Sequence, residues 1–148
     1  MIANGATYQC VPPSIGAHVV TPRRAYTHHG IYVGDGYVVH YAGSFPWLRG
    51  GPIERVSLET FTQGRCLDVI VEPDAAYAAA DIVRRAMSRV GEARYHLLTN
   101  NCEHFCEWCL RGEARSRQVE RWVSAPRRLV VAMAHGLAKL ITAPTAWI

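Results

Sequence analysis

The sequence predicts an α+β domain built on an antiparallel sheet. Three observations carry that expectation. Strand candidates fill the first half of the chain and helical candidates the second, the order of a segregated rather than an alternating fold. Two apolar runs flank Gly34-Asp35-Gly36, which marks a β-hairpin. After Pro73 the apolar spacing turns helical, through Ala75, Ala78, Ala79, Ile82, Val83, Ala86 and Val90.

Each element follows from local chemistry. Residues 1–15 are a lead-in, interrupted by Pro12-Pro13. Ala17–Thr21 is a short strand that ends at Pro22. Gly30–Val33 and Tyr37–Tyr41 are the arms of the hairpin. A Gly- and Pro-rich loop runs from Gly43 to Pro52, followed by strands over Ile53–Leu58 and Leu67–Glu72. Pro73-Asp74 starts a helix that Gly91 stops. Asn101–Leu110 is a second helix, closed by Gly112, and a short one covers Gln118–Val123. The organisation expected is a lead-in over 1–15, one domain over 16–123 and a tail over 124–148.

Composition narrows the classes. A chain of 148 residues with 49% apolar and 19% charged residues is long enough to bury a core and too apolar to be disordered. Of its sixteen basic residues only Lys139 is lysine, so guanidinium forks dominate the surface charge. Such forks suit phosphate, carboxylate and anionic lipid, or simply form a solvated basic surface. They follow no nucleic-acid motif, and no nucleic-acid partner is expected. An odd count of five cysteines and the absence of a secretory signal point to free thiols in a reducing cytoplasm. No run of about 20 apolar residues spans a bilayer.

Parity tests whether the hairpin histidines act together. A three-residue loop of Gly34-Asp35-Gly36 places residues opposite each other when their numbers sum to seventy. His28 and His40 then share a face with Gly30, Tyr32, Val38 and Ala42, about 7–8 Å apart on a diagonal. Ile31, Val33, Tyr37, Val39 and Tyr41 form the core face. A two-residue loop would slip the register and part the histidines. Gly30 and Ala42 are small beside the two imidazoles, which leaves room for a third group. His29 points to the other face and is not selected; His18 and His96 have no assignable partner.

Asn101 is a suitable N-cap, so Cys102 falls in the first turn of its helix, where free N–H groups and the helix dipole favour a thiolate. The same N–H groups can hold an oxyanion. Cys102, Phe105, Cys106 and Cys109 share one helix side; Glu103, His104, Glu107 and Arg111 lie mostly on the other. Cys106 and Cys109 read as small buried hydrophobes. A zinc site over Cys102, His104, Cys106 and Cys109 is disfavoured, because His104 points away from the cysteines and no second CxxC pair exists.

Taken together, the hairpin with His28 and Val39-His40 and the Asn101-Cys102-Glu103-His104-Phe105 box resemble the lecithin:retinol acyltransferase-like proteins. The likeness is to the phospholipase A/acyltransferase (HRAS-like suppressor) branch, and it extends from Gly16 through Tyr95 and Leu97 to Ala114-Arg115-Ser116 and Gln118-Val119. The resemblance implies a circularly permuted papain-like (NlpC-type) fold with the nucleophilic cysteine at a helix N-terminus. By motif position it implies Cys102 as nucleophile, His28 as general base and acid, and His40 as its orienting partner. It implies attack on a phospholipid or other acyl donor, an acyl-thioester, and transfer to an amine, an alcohol or water, with no metal or cofactor. Three departures stand out: His29 replaces a bulky aromatic, the Gly43–Pro52 loop is shorter, and the tail lacks a long apolar anchor.

That tail reads as an amphipathic basic helix over 127–141, with Leu129, Val130, Met133, Leu137, Leu140 and Ile141 on one arc. Such a helix either lies on a membrane surface or packs on protein. Peripheral membrane contact is therefore part of the expectation. Two other functions fit the residues less well: an NlpC-like cysteine peptidase or amidase, and a non-catalytic interaction module.

Overall fold

In a computed structural model, which describes residues 12–24, 26–44, 49–121 and 123–124, the expected hairpin lies in a five-stranded sheet. The chain divides into two compact units, Met1–Arg115 and Ser116–Ile148. The first unit runs β1 (His18–Pro22), β2 (Thr27–Gly34), β3 (Tyr37–Ser44), β4 (Arg49–Ser57), α1 (Leu58–Thr62), β5 (Asp68–Ile70), α2 (Ala79–Ser88) and α3 (Cys102–Arg111). All strand pairs are antiparallel, in the order β4-β3-β2-β1-β5. The α+β class expected from the sequence is the class observed.

The hairpin corner differs from the three-residue loop expected. Gly34 pairs with Tyr37, so the turn is Asp35-Gly36, with φ of 51° and 77° at its two residues. Both left-handed angles belong to the type I′ geometry that matches strand twist. The expected slip of register nevertheless does not follow. A bulge between Tyr32 and Gly34 takes up the odd residue, and Ile31 faces Val39 and Tyr32 faces Val38. Their numbers sum to seventy, and His28 and His40 stay on one face.

Much of the Gly43–Pro52 segment is strand rather than loop. β3 continues to Ser44 and β4 starts at Arg49, with Gly43 opposite Gly50. A Cβ on Gly50 would lie 2.0 Å from the Tyr95 ring, so glycine here permits close packing rather than a turn. Pro52 is tolerated because β4 is a sheet edge. α1 has no counterpart in the sequence reading. The Ser57 hydroxyl caps it by accepting the Thr60 N–H at 3.1 Å, and Phe61 is its one buried residue. Five residues are too few to show a helical period.

The helix expected from Pro73 starts only at Ala79. Tertiary packing overrides the period: the Ala76 N–H is spent on the Leu110 carbonyl at 2.9 Å, and Ala75 and Tyr77 pack on the core beside α3. The strand expected over Leu67–Glu72 contracts to three residues on the β1 edge. α3 agrees with expectation, capped by the Asn101 side chain and ended by Gly112 at φ 81°.

The pleat sorts two apolar layers onto opposite faces. Ile31, Val39, Tyr41 and Ile53 meet α2 and α3 through Ile82, Ala86, Phe105, Cys106, Cys109 and Leu110. Val19, Tyr32 and Val38 meet Phe61 on the other side. The room expected beside Gly30 is taken, since a Cβ there would sit 2.5 Å from Val38 Cγ1 and 3.0 Å from Phe61 Cε2. Gly30→Ala is therefore expected to cost about 1–3 kcal/mol through overpacking. A lower urea midpoint at unchanged m-value is the check; an unshifted midpoint would mean that Phe61 moves aside freely.

In the second unit residues 117–121 are helical, and the Ser116 hydroxyl accepts the Val119 N–H at 3.2 Å. The amphipathic helix expected over 127–141 and most of the 1–15 lead-in lie outside the described residues. Among the described residues, no helix is long and apolar enough to cross a membrane.

Candidate active site

β2 and β3 bring two imidazoles together on the face that carries Phe61. His28 Nε2 and His40 Nδ1 are 2.8 Å apart, with the rings edge to face. Phe61 stacks on His28 with centroids 5.2 Å apart and meets His40 at 5.4 Å. The short helix α1 thus provides the ring that fixes both histidines. His40 Nδ1 is also 2.8 Å from the Tyr41 carbonyl oxygen. The outer nitrogens, His28 Nδ1 and His40 Nε2, are buried and have no hydrogen-bond partner among the described residues.

Cys102 is the first residue of α3, which packs on the opposite face. The ladder between β2 and β3 explains how its sulfur reaches the histidine strand. The Tyr32 N–H bonds the Ala17 carbonyl on the β1 side, so strand alternation turns the N–H groups of Ile31 and His29 toward β3. Pairing between β2 and β3 ends at Ile31–Val39. Below that point the Tyr41 carbonyl meets His40 Nδ1, while the N–H of His29 faces the Cys102 sulfur. The sulfur therefore lies where the two strands part, one residue along the chain from His28. The N–H groups of Glu103 and of Cys102 itself also face it.

The helix start does not produce the resting thiolate expected from the sequence. Cys102 is 4% exposed, and burial pushes its thiol up to about 11, aided by the charge of Glu103. The three N–H groups oppose that shift without overcoming it. Burial also holds His28 well below the ordinary histidine range, with His40 and the Arg23 guanidinium adding to the effect. His40 is lowered to about 4, again chiefly by burial. The resting pair is a neutral imidazole and a neutral thiol. Arg23 is anchored nearby, donating from Nη2 to the Phe61 carbonyl at 2.6 Å.

The polar side of α3 is largely buried as well. Glu103, His104 and Glu107 are all buried. His104 completes a capping box, its Nδ1 accepting the Asn101 N–H at 3.3 Å. Glu107 accepts from Arg111 at 2.7 Å, and Arg111 also bridges to Glu72 at 2.5 Å. Glu72 accepts from His18 Nδ1 at 2.9 Å, and His18 Nε2 is 2.8 Å from His29 Nδ1. This chain of side chains lies on the α3 side of the sheet, away from the His28–His40 pair. The bond from His18 leads the causes that hold Glu72 down at about 2, and His29 is lowered to about 4 by burial and by His18.

Sequence reasoning missed this second network because its partners are far apart in the chain. Strand alternation places His29 on this face but indicates no partner for it or for His18. His18, Glu72 and Glu107 bring ligand atoms within 4.8 Å of one another, the spacing of a metal site. Arg111 is the cation that serves both carboxylates there, and both ring nitrogens of His18 already have partners.

Residues 12–115 match the family described as lecithin retinol acyltransferase. Phospholipase A and acyltransferase 4 of Homo sapiens is 29% identical over 147 residues, covering 88% of this chain and 87% of that protein. Phospholipase A and acyltransferase 2 of Homo sapiens is 33% identical, over 72% and 76% of the two chains. Lecithin retinol acyltransferase of Homo sapiens is 27% identical, over 81% and 67%. With a family match over most of its length and the histidine hairpin and cysteine helix in place, this chain belongs to the lecithin retinol acyltransferase family.

Proposed function

We propose that this protein is an acyl-transferring enzyme of phospholipase A and acyltransferase type, acting on phospholipid esters through a thioester on Cys102. The observation that carries the reading is a thiol faced by three backbone N–H groups, one of them from His29, the chain neighbour of His28 in the buried imidazole pair. The relatives' names supply the reaction class. In this reading the sheet and α3 form a circularly permuted papain-like fold.

The chemistry follows from the resting protonation states. The Cys102 thiol is neutral, so its proton moves to His28 Nδ1 as the sulfur attacks the ester carbonyl carbon. Negative charge then develops on the carbonyl oxygen, where N–H groups at the start of α3 can stabilise it. The carbonyl–oxygen bond breaks, and the lysolipid alkoxide leaves with the proton from His28. An amine, alcohol or water next gives a proton to His28 and attacks the thioester. The carbon–sulfur bond breaks and the proton returns to the sulfur. Each half-reaction is balanced in protons and needs no metal.

Intact-protein mass spectrometry after incubation with a short-chain phosphatidylcholine tests this reading. Wild type is expected to gain one acyl mass, and Cys102→Ala none. An adduct that persists in Cys102→Ala would move the nucleophile elsewhere. Absence of any adduct on wild type, with Cys102 still alkylated by iodoacetamide, would favour an amide substrate.

A further inference from the structure

The His28–His40 pair leaves a proton question that a fourth residue answers. His40 Nδ1 has two neighbours at 2.8 Å, the Tyr41 carbonyl oxygen and His28 Nε2. A neutral imidazole carries one N–H. If that proton is on Nδ1, it serves the Tyr41 carbonyl, and His28 Nε2 can only accept. His28 must then carry its own proton on Nδ1 and cannot take one from a thiol. If the His40 proton is instead on Nε2, its bare Nδ1 accepts from His28 Nε2–H. His28 Nδ1 is then bare and can act as a base. The Tyr41 carbonyl favours the unproductive tautomer, so an opposing acceptor is required at His40 Nε2.

Glu54 is in that position. It is the direct cross-strand partner of His40 on β4, and its Oε1 lies 3.4 Å from His40 Nε2. Among the described residues His40 Nε2 is buried and lacks a hydrogen bond, while the Glu54 side chain is 44% exposed and keeps solvent contact. We propose that Glu54 is a positioning residue that holds His40 in its Nε2–H tautomer, leaving His28 Nδ1 free to accept the Cys102 proton. This rests on the acyl-transfer reading for its consequence but not for its geometry. When His28 takes the thiol proton, its Nε2–H stays directed at His40 Nδ1. His40 keeps its own proton on Nε2, the nitrogen 3.4 Å from Glu54 Oε1, and no further proton moves. The carboxylate then also faces the new positive charge along the imidazole pair.

Long-range 15N–1H correlation spectra of the histidine rings test the proposal without substrate. At pH 7.5 wild type is expected to show His40 as the Nε2–H tautomer, and Glu54→Leu as Nδ1–H. Glu54→Gln, which removes the charge but keeps the shape, is expected to lie between them. In turnover assays Glu54→Leu should lower kcat by about ten- to a hundredfold with KM little changed, part of the range assigned to acid–base assistance. An Nδ1–H tautomer in wild type would overturn the proposal, and so would an unchanged tautomer in Glu54→Leu with a wild-type urea midpoint. If the tautomer switches but wild type forms no acyl adduct, the role of Glu54 stands and the acyl-transfer reading falls.

Discussion

Replacing His28 by glutamine is expected to slow formation of the acyl-enzyme by about 10²–10⁴-fold, the usual contribution of a positioned general base. The large effect follows from the resting state of the site. Burial holds the Cys102 thiol at about 11, so few molecules carry a thiolate at neutral pH and the base must remove the proton during attack. His29→Gln makes the decisive comparison, because it changes the adjacent residue and the opposite face of the sheet. His29 Nδ1 contacts His18 Nε2, and His18 in turn contacts Glu72. Disrupting that chain is expected to cost about 1–3 kcal/mol of stability through a half-satisfied buried group, with the acylation rate per folded molecule nearly unchanged. Acyl-adduct rates by mass spectrometry and urea midpoints on both variants separate the two effects. Equal rate losses would transfer the base role to the chain of His29, His18 and Glu72.

The second large expectation is a loss of folding stability in mild acid. Burial keeps His28, His29 and His40 neutral in the folded protein, the last two down to about 4. In the unfolded chain they titrate near the ordinary histidine value of 6.5. Between these values the unfolded state binds more protons, so stability falls as pH falls. The contribution is complete above pH 6.5 and is lost on the way to about 4, amounting to several kcal/mol in total, on the order that linkage gives for shifts of this size. Glu72, held at about 2 by His18 and Arg111, extends the loss at lower pH, because its stabilisation is present above its unfolded value and disappears as it protonates. At the alkaline end the sign reverses in pH. The buried Cys102 thiol favours its protonated form, so stability declines as pH rises from about 9 through 11. Melting temperatures from pH 8 to pH 4 test the acid limb. A constant value down to pH 4.5 would show that the three histidines are not held neutral by the fold.

How far the site was legible in the sequence depended on the range of the forces involved. The pairing of His28 with His40 was readable, because strand parity is a local rule. Its safety from a two-residue turn was not, since the bulge between Tyr32 and Gly34 arises from the fit of turn geometry to strand twist. The Asn101 cap and the start of α3 at Cys102 were readable from one side chain and its neighbours. The resting charge of Cys102 was not, because helix-end N–H groups favour the thiolate while burial opposes it, and burial is set by the packing of β2, β3 and α3 around the sulfur.

By itself, then, the amino-acid order determined the α+β class, the hairpin, the capped cysteine helix and the shared face of His28 and His40, all of which depend on contacts a few residues apart or on a regular period. Tertiary structure alone decided which partners those residues have. Phe61 reaches the histidines from a helix too short to announce itself, Glu54 faces His40 only once β3 and β4 are paired, and Glu72 meets His18 across 54 positions of chain. Such contacts have no sequence period, because they form only after the loops between them have closed and the sheet has fixed its register.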